Sequence, residues 1–409
     1  MAKIHKLSNG LSVILEQIEH LESVAYELII PGGTAYDKEQ EVGASLILPD
    51  LTARGAGGLS SRQLNEAFDN SGIRHGEGAG QEHYSYRGSC LSEKLIEALR
   101  LVSLMITKPQ LPENEIDSIR SLLIQDIKSL PDQPSRRVAV ELSKSYFPHP
   151  FNRSSMGTEE GLQKADLALL TKLWTEFYKP DGSLLSIAGK FDEKNILNDL
   201  EKLFSNWQGK ANGRIKFGTM PKMQKQHIPF DGAQLQIAMA FPSAPFGDKD
   251  YYSAKLACGI LSGGMFGRLF IDVREKRGLC YSVYARHSAT KDYGQVYAYA
   301  GTTPERAHET LDVMLMVFNQ LKGSITQEEL DRARANVLTA IIMSEESPGS
   351  RASSNSTDWW VAGELRTLDQ IKNGLKAVTI QDINNYLERF PIKEYALTTL
   401  GAKDITKEH

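Results

Sequence analysis

The sequence predicts an α+β protein of two tandem homologous domains, each a mostly antiparallel sheet with helices packed on one face. Three observations carry this. Strands lead into long apolar-faced helices and a strand then returns; the plan recurs at a long period; and a polar, glycine-containing stretch lies midway along the chain. At 409 residues the chain has room for about two to four domains of ordinary size. Hydrophobic residues at 41% and charged residues at 24% supply real cores and exclude a disordered chain.

In the first half, Tyr84-Ser85-Tyr86 reads as a strand that passes through Leu91-Ser92-Glu93-Lys94 into an apolar helix over 95–106. In the second, Val296-Tyr297-Ala298-Tyr299 passes through Thr303-Pro304-Glu305-Arg306 into a helix over 307–321, and Glu305 follows Glu93 by 212 residues. The segment 111–117 (LPENEID) is matched by 325–331 (ITQEELD), 214 residues on. Each gathers acidic side chains where the first turn of a helix favours negative charge. Leu185-Ser186-Ile187-Ala188-Gly189 is matched by Leu397-Thr398-Thr399-Leu400-Gly401 at an offset of 212, both apolar strands ending at glycine. The offsets agree within two residues, as a duplicated domain requires. The linker is read over 208–225, rich in Gly, Lys and polar residues, and gives domains 1–212 and 213–409.

Charge and cysteine content exclude several functions. With 47 basic and 51 acidic residues the net charge is −4, so no chain-wide field draws in nucleic acid or an anionic membrane. Cys90, Cys258 and Cys280 are too few and too scattered for a disulfide framework or a structural zinc cluster, which points to a reducing compartment. Residues 1–10 lack the apolar core of a secretory signal and no apolar run reaches membrane-helix length. The expected location is cytoplasmic, and a leader trimmed earlier is compatible with this. His75 and His83 flank the Gly76-Glu77-Gly78-Ala79-Gly80 run, whose glycines predict a loop; two His and two Glu there are weak grounds for a metal site. The run is no dinucleotide fingerprint, since no βαβ unit surrounds it.

The start Leu7-Ser8-Asn9-Gly10-Leu11, the turn Pro31-Gly32-Gly33, the helix between Gly43 and Gly55, and later His149-Pro150-Phe151, Gly157-Thr158 and Phe177-Tyr178-Lys179-Pro180 together resemble a pitrilysin or insulinase-type zinc peptidase. The resemblance covers essentially the whole chain, duplication included. It implies that the helix after Gly43 should carry H-x-x-E-H, with a further acidic ligand on a later helix. Aligned by the flanking glycines, the two histidine positions are Leu46 and Asp50, the base position is Pro49, and the downstream position is Asp126. Leu46 has no donor and Pro49 no acid–base chemistry, while catalytic zinc takes three protein ligands. No metal is therefore expected in this chain. Leu46, Ile47, Leu48 and Leu51 read as the buried face of a packing helix that Pro49 is expected to kink.

The second half keeps more of the family pattern. Leu261-Ser262-Gly263-Gly264-Met265-Phe266-Gly267-Arg268-Leu269 is a glycine-rich loop before a helix ending at Gly278 and an alternating strand. The resemblance implies an Arg and a Tyr seven positions apart that serve the active site, and Arg274 and Tyr281 match. Guanidinium and phenol are donors suited to a scissile carbonyl or its oxyanion. Gly263 and Gly264 read either as turn formers or as a loop that lets an extended peptide approach.

The implied function is that of a zinc-less subunit in a heteromeric metallopeptidase, lending Arg274 and Tyr281 in trans to a homologous H-x-x-E-H partner that holds the zinc. The substrate would be a peptide paired in extended form against a sheet edge. Two alternatives stand beside it: a non-enzymatic scaffold similar to the core subunits of respiratory complexes, and a self-contained hydrolase using Asp50 and Asp126 with an unexpected metal.

Overall fold

The computed structural model describes residues 2–218 and 220–407. It divides into two compact units. The first takes the chain up to Ser129, Arg153–Ile215 and Ser344–Leu365; the second takes Leu130–Asn152, Lys216–Met343 and the chain from Arg366 onward.

In the first half, β1 (Lys3–Lys6), β2 (Ser12–Gln17) and β3 (Ser23–Pro31) precede α1 (Ala44–Ala53), the ribbon β4 (Gly55–Ala56) and β5 (Leu59–Ser60), and α2 (Ser61–Asn70). The hairpin β6 (Arg74–Ala79) and β7 (His83–Leu91) leads into α3 (Leu95–Thr107) and α4 (Glu113–Ser129). After α5 (Pro134–Tyr146) come α6 (Glu159–Lys164), α7 (Leu167–Phe177), β8 (Leu184–Gly189) and α8 (Ile196–Phe204). The sheet order is β1-β2-β8-β3-β7-β6, antiparallel except for β2 beside β8. Strand β8 is buried along its whole length, as a strand covered on both faces must be.

The second half repeats the plan. β9 (Lys225–Pro229), β10 (Leu235–Ser243) and α9 (Tyr251–Ser262) are followed by β11 (Cys280–Ala289), β12 (Gly294–Thr302), α10 (Ala307–Gln320) and α11 (Gln327–Glu345). α12 (Pro348–Ala362), α13 (Leu368–Ala377), α14 (Ile380–Arg389) and β13 (Ala396–Gly401) complete it. Its sheet runs β11-β12-β10-β13-β9, again with a single parallel pair, β13 and β9. Position for position this is the order β6-β7-β3-β8-β2 of the first sheet, so the repeat seen in the sequence is a repeat of topology.

The expected helical layer is present in both units, and each sheet carries one further helix on its other face. In the first unit this is α12, from the second half of the chain. Ala352 packs between Ala25 and Ala188, and Trp359, Trp360 and Leu365 cover Ile14, Ile29 and Leu184. Arg351 anchors it by a paired hydrogen bond to Glu16 (2.9 and 2.7 Å), and Asn355 adds a third (2.6 Å). In the second unit the same place is taken by α5, from the first half, through Val138, Leu142 and Tyr146 against Ala238, Ala240, Ala396 and Leu400. Alanines on the sheet let a helix come close in both cases.

The polar stretch 208–225 ends where strand β9 starts, at Lys225. Its first part is seated on the first unit: Arg214 donates to the Trp360 carbonyl (2.7 Å) and to Glu82 (3.1 Å), and lies 4.9 Å from the Trp360 ring centre. Among the described residues no helix is long and apolar enough to cross a membrane.

Candidate functional site

Helix α1 starts at Gly43, whose φ of +109° suits glycine, and a Cβ there would come within 2.9 Å of the Gly157 Cα. The Asp37 carboxylate accepts from the Gly43 N–H (2.8 Å) and the Ser45 hydroxyl (3.0 Å), which fixes the first turn. Burial pushes the Asp37 carboxyl up to about 7, against those bonds, which pull it down. Ile47, Leu48 and Leu51 are fully buried in the unit's core. The helix runs unbroken across Pro49, which is buried, and the Thr52 hydroxyl donates to the Pro49 carbonyl (2.7 Å). A buried chain of hydroxyls continues beneath it, from Thr52 to Tyr86 and from Tyr86 to Tyr178, each link 2.8 Å.

Leu46 departs from the expected buried face. It is half-buried and shares a stripe, at steps of four residues, with Asp50 and Arg54. Arg54 grips Asp50 through Nε (2.9 Å) and Nη2 (3.4 Å), and its Nη1 lies 3.7 Å from Glu115 at the start of α4. Asp126 is exposed on α4, about 16 Å along that helix from Glu115. The stripe does not fit a zinc ion: Leu46 and Pro49 offer no donor and the Asp50 carboxylate is bound to a guanidinium. Among the described residues no group of three His, Cys, Asp or Glu side chains is gathered as a metal would need.

The glycine run between the two histidines is strand rather than loop over Arg74–Ala79, with a tight turn only at 80–82. Glycine survives there because β6 is the last strand of its sheet, and a Cβ on Gly76 or Gly78 would meet nothing within 4 Å. The two histidines face different surroundings. His75 stacks on Phe68 with 3.9 Å between ring centres, whereas His83 sets its edge against Trp360 and burial holds its pKa below the ordinary imidazole value.

In the second unit, residues 270–275 form a wide helical turn that ends near Gly278 and hands Tyr281 to the start of β11. The Arg274 guanidinium carbon lies 4.8 Å from the ring centres of both Phe270 and Tyr281. Tyr281 is 78% exposed. Neither the guanidinium nor the phenol meets a hydrogen-bond acceptor among the described residues, so the structure brings the two together with their donors uncommitted. Gly264 has a φ of +92° with open space around it, whereas a Cβ on Gly263 would strike the Gly259 carbonyl at 2.3 Å. The loop's own geometry thus accounts for glycine at both positions.

Arg54 and Glu115 were absent from the sequence-based site, although Asp50 and Arg54 stand four apart in a predicted helix, the spacing of a helical ion pair. Glu115 carries no such local signal, because its approach depends on how α4 crosses α1.

Comparison with known proteins follows this geometry. A model described as insulinase, peptidase family M16, matches residues 12–159, and one described as the peptidase M16 inactive domain matches residues 164–337. The chain is 29% identical over 407 residues to the uncharacterized zinc protease YmxG of Bacillus subtilis, covering 98% of each protein. The crystal structure of a peptidase M16 inactive domain from Pseudomonas fluorescens superposes with a TM-score of 0.91 at 22% identity, over 99% of this chain and 98% of that one. A chain of complex III2 from Candida albicans, solved with Inz-5 bound, gives 0.82 at 17% identity, over 98% and 96%.

Proposed function

Since the chain is a two-domain member of the insulinase (M16) peptidase family, we propose that it is a zinc-less subunit of a heteromeric peptidase that lends Arg274 and Tyr281 to a partner's active site. The observation that carries this reading is the contrast in commitment: on α1, Leu46 and Pro49 offer no donor and Asp50 is held by Arg54, while the two donors at Arg274 and Tyr281 stand open. The partner is a homologous chain bearing H-x-x-E-H, and the zinc belongs to it.

What this chain contributes is hydrogen bonding. The Arg274 guanidinium carbon lies 4.8 Å from the Tyr281 ring centre, and donors fixed in advance stabilise a developing oxyanion by several kcal/mol. The substrate is an unfolded peptide. Strand β6 ends its sheet and carries Gly76 and Gly78 with open space where side chains would stand, which suits main-chain pairing with an extended segment. Gly264, with open space where a side chain would stand, supplies a second place where backbone can approach backbone.

The test is reconstitution. Co-expressed with an H-x-x-E-H homologue from the same genome, the chain should form a hetero-oligomer with peptidase activity, and Arg274→Ala or Tyr281→Phe in this chain should depress kcat with the complex intact. Activity indifferent to both substitutions leaves the non-enzymatic scaffold, a reading favoured by the fold likeness to a complex III chain. Stoichiometric metal and turnover in the lone chain would instead support a hydrolase built on Asp50 and Asp126.

A further inference from the structure

Beneath the start of α12 the first unit holds a cavity of about 470 Å³, walled by β3, β7 and β6 on one side and by Gly349, Ser350 and Ser353 on the other. A pocket of this volume suits a ligand of one to three amino-acid residues. Its charged and titratable lining groups are Tyr26, Glu27, Arg74, His75 and Arg87. Glu27 is the anomaly. It interrupts the otherwise apolar strand β3, its side chain is 3% exposed, and one oxygen accepts from the Arg87 Nε (2.5 Å) while the other is shut off from water with no partner. A buried carboxylate oxygen without a donor is costly, and a donor brought in by a ligand relieves that cost.

The mouth has the opposite character. Arg74 is exposed and its guanidinium meets no acceptor among the described residues. Gly349 and Ser350 lie in the first turn of the fifteen-residue helix α12, where backbone N–H groups and the helix dipole favour an anion. The Ser347 side chain already caps this turn by accepting from the Ser350 N–H (3.5 Å), and the Ser353 hydroxyl lines the cavity one turn on. His75 adds no charge partner at the mouth, since its ring stacks on Phe68 and its Nδ1 lies 3.5 Å from Glu77.

An acceptor at the floor with cationic and N–H donors at the rim is the complement of a molecule with an ammonium at one end and a carboxylate at the other. The geometry points to a binding site for free amino acids or short peptides with both ends unblocked, the Glu27 carboxylate turning into the cavity to take the ammonium and the ligand's carboxylate held between Arg74 and the start of α12. Such a pocket needs no partner subunit.

Calorimetric titration of the full chain with dialanine tests this, with N-acetyl-dialanine and dialanine amide as controls that each remove one charge. Dialanine should bind, and each blocked analogue should bind about tenfold or more weakly, the loss of one charge-assisted hydrogen bond. Glu27→Gln should remove the preference for a free amine with the melting temperature kept. Arg74→Ala, at an exposed site where folding is not at stake, should weaken dialanine but not dialanine amide. No binding of dialanine up to roughly 10 mM would overturn the proposal. So would equal binding of the acetylated compound, or Arg74→Ala titrating like the parent.

Discussion

Two regions that the family pattern treats as halves of one active site have opposite physical states in this chain. On α1 every group is spoken for: Ile47, Leu48, Pro49 and Leu51 are packed, Asp37 holds the first turn, and Asp50 is paired with Arg54. At the start of β11, Tyr281 projects into solvent against Arg274 and neither donor is used. The first contributes to stability through its buried face. The second adds little to stability, because an exposed aromatic and an unpaired guanidinium contribute little to folding.

The strongest way to break this contrast is to remove the open pair. In an assembly with an H-x-x-E-H subunit, the double substitution Arg274→Ala and Tyr281→Phe should lower kcat by about 10²–10³, as the loss of oxyanion donors does elsewhere, while urea denaturation of the chain stays unchanged. On the other side of the comparison, Leu51→Ala should cost roughly 2–5 kcal/mol of stability through the cavity it leaves, and Leu46→Ala clearly less, since Leu46 is only half-buried. Equal costs at the two positions would mean that the stripe is packed after all.

Arg54→Leu sharpens the comparison at a smaller scale. It leaves Asp50 and Glu115 without their shared cation at a partly exposed site, and about 1 kcal/mol should be lost in chemical unfolding. A further effect is on pH. Burial raises the folded-state pKa of Asp37 to about 7, above its unfolded value, so its contribution is complete below the unfolded pKa and is lost as pH rises through about 7. The melting temperature should fall between pH 5 and pH 8 for this reason, and Asp37→Asn should flatten that slope.

The strand–helix order and the repeat could be read from alternation and spacing, because both are local: the helix expected over 95–106 is Leu95–Thr107, and the two strands ending at Gly189 and Gly401 sit in equivalent places of their sheets. What escaped is tertiary. An amphipathic pattern says that α5 and α12 bury a face, and nothing in that pattern says which sheet receives it. The glycines of β6 predict a loop because glycine disfavours strands, and only the strand's place at the sheet edge reverses that preference. At the candidate site, Arg274 and Tyr281 were reachable through family spacing. The pairing of Asp50 with Arg54 is legible in the i,i+4 spacing of the two residues. Glu27 needed the structure, since a single acid in an apolar strand does not reveal whether both its oxygens are satisfied.

The helix that caps the first sheet, α12, ends at Ala362, far along the chain from the strands it covers. During synthesis the amino-terminal half therefore leaves the ribosome with one side of its sheet bare until about 150 further residues have been added, roughly ten seconds at ordinary elongation speeds. The gene order of the halves is thus not a folding order, and a ribosome stalled between them would hold an adhesive intermediate rather than a finished domain.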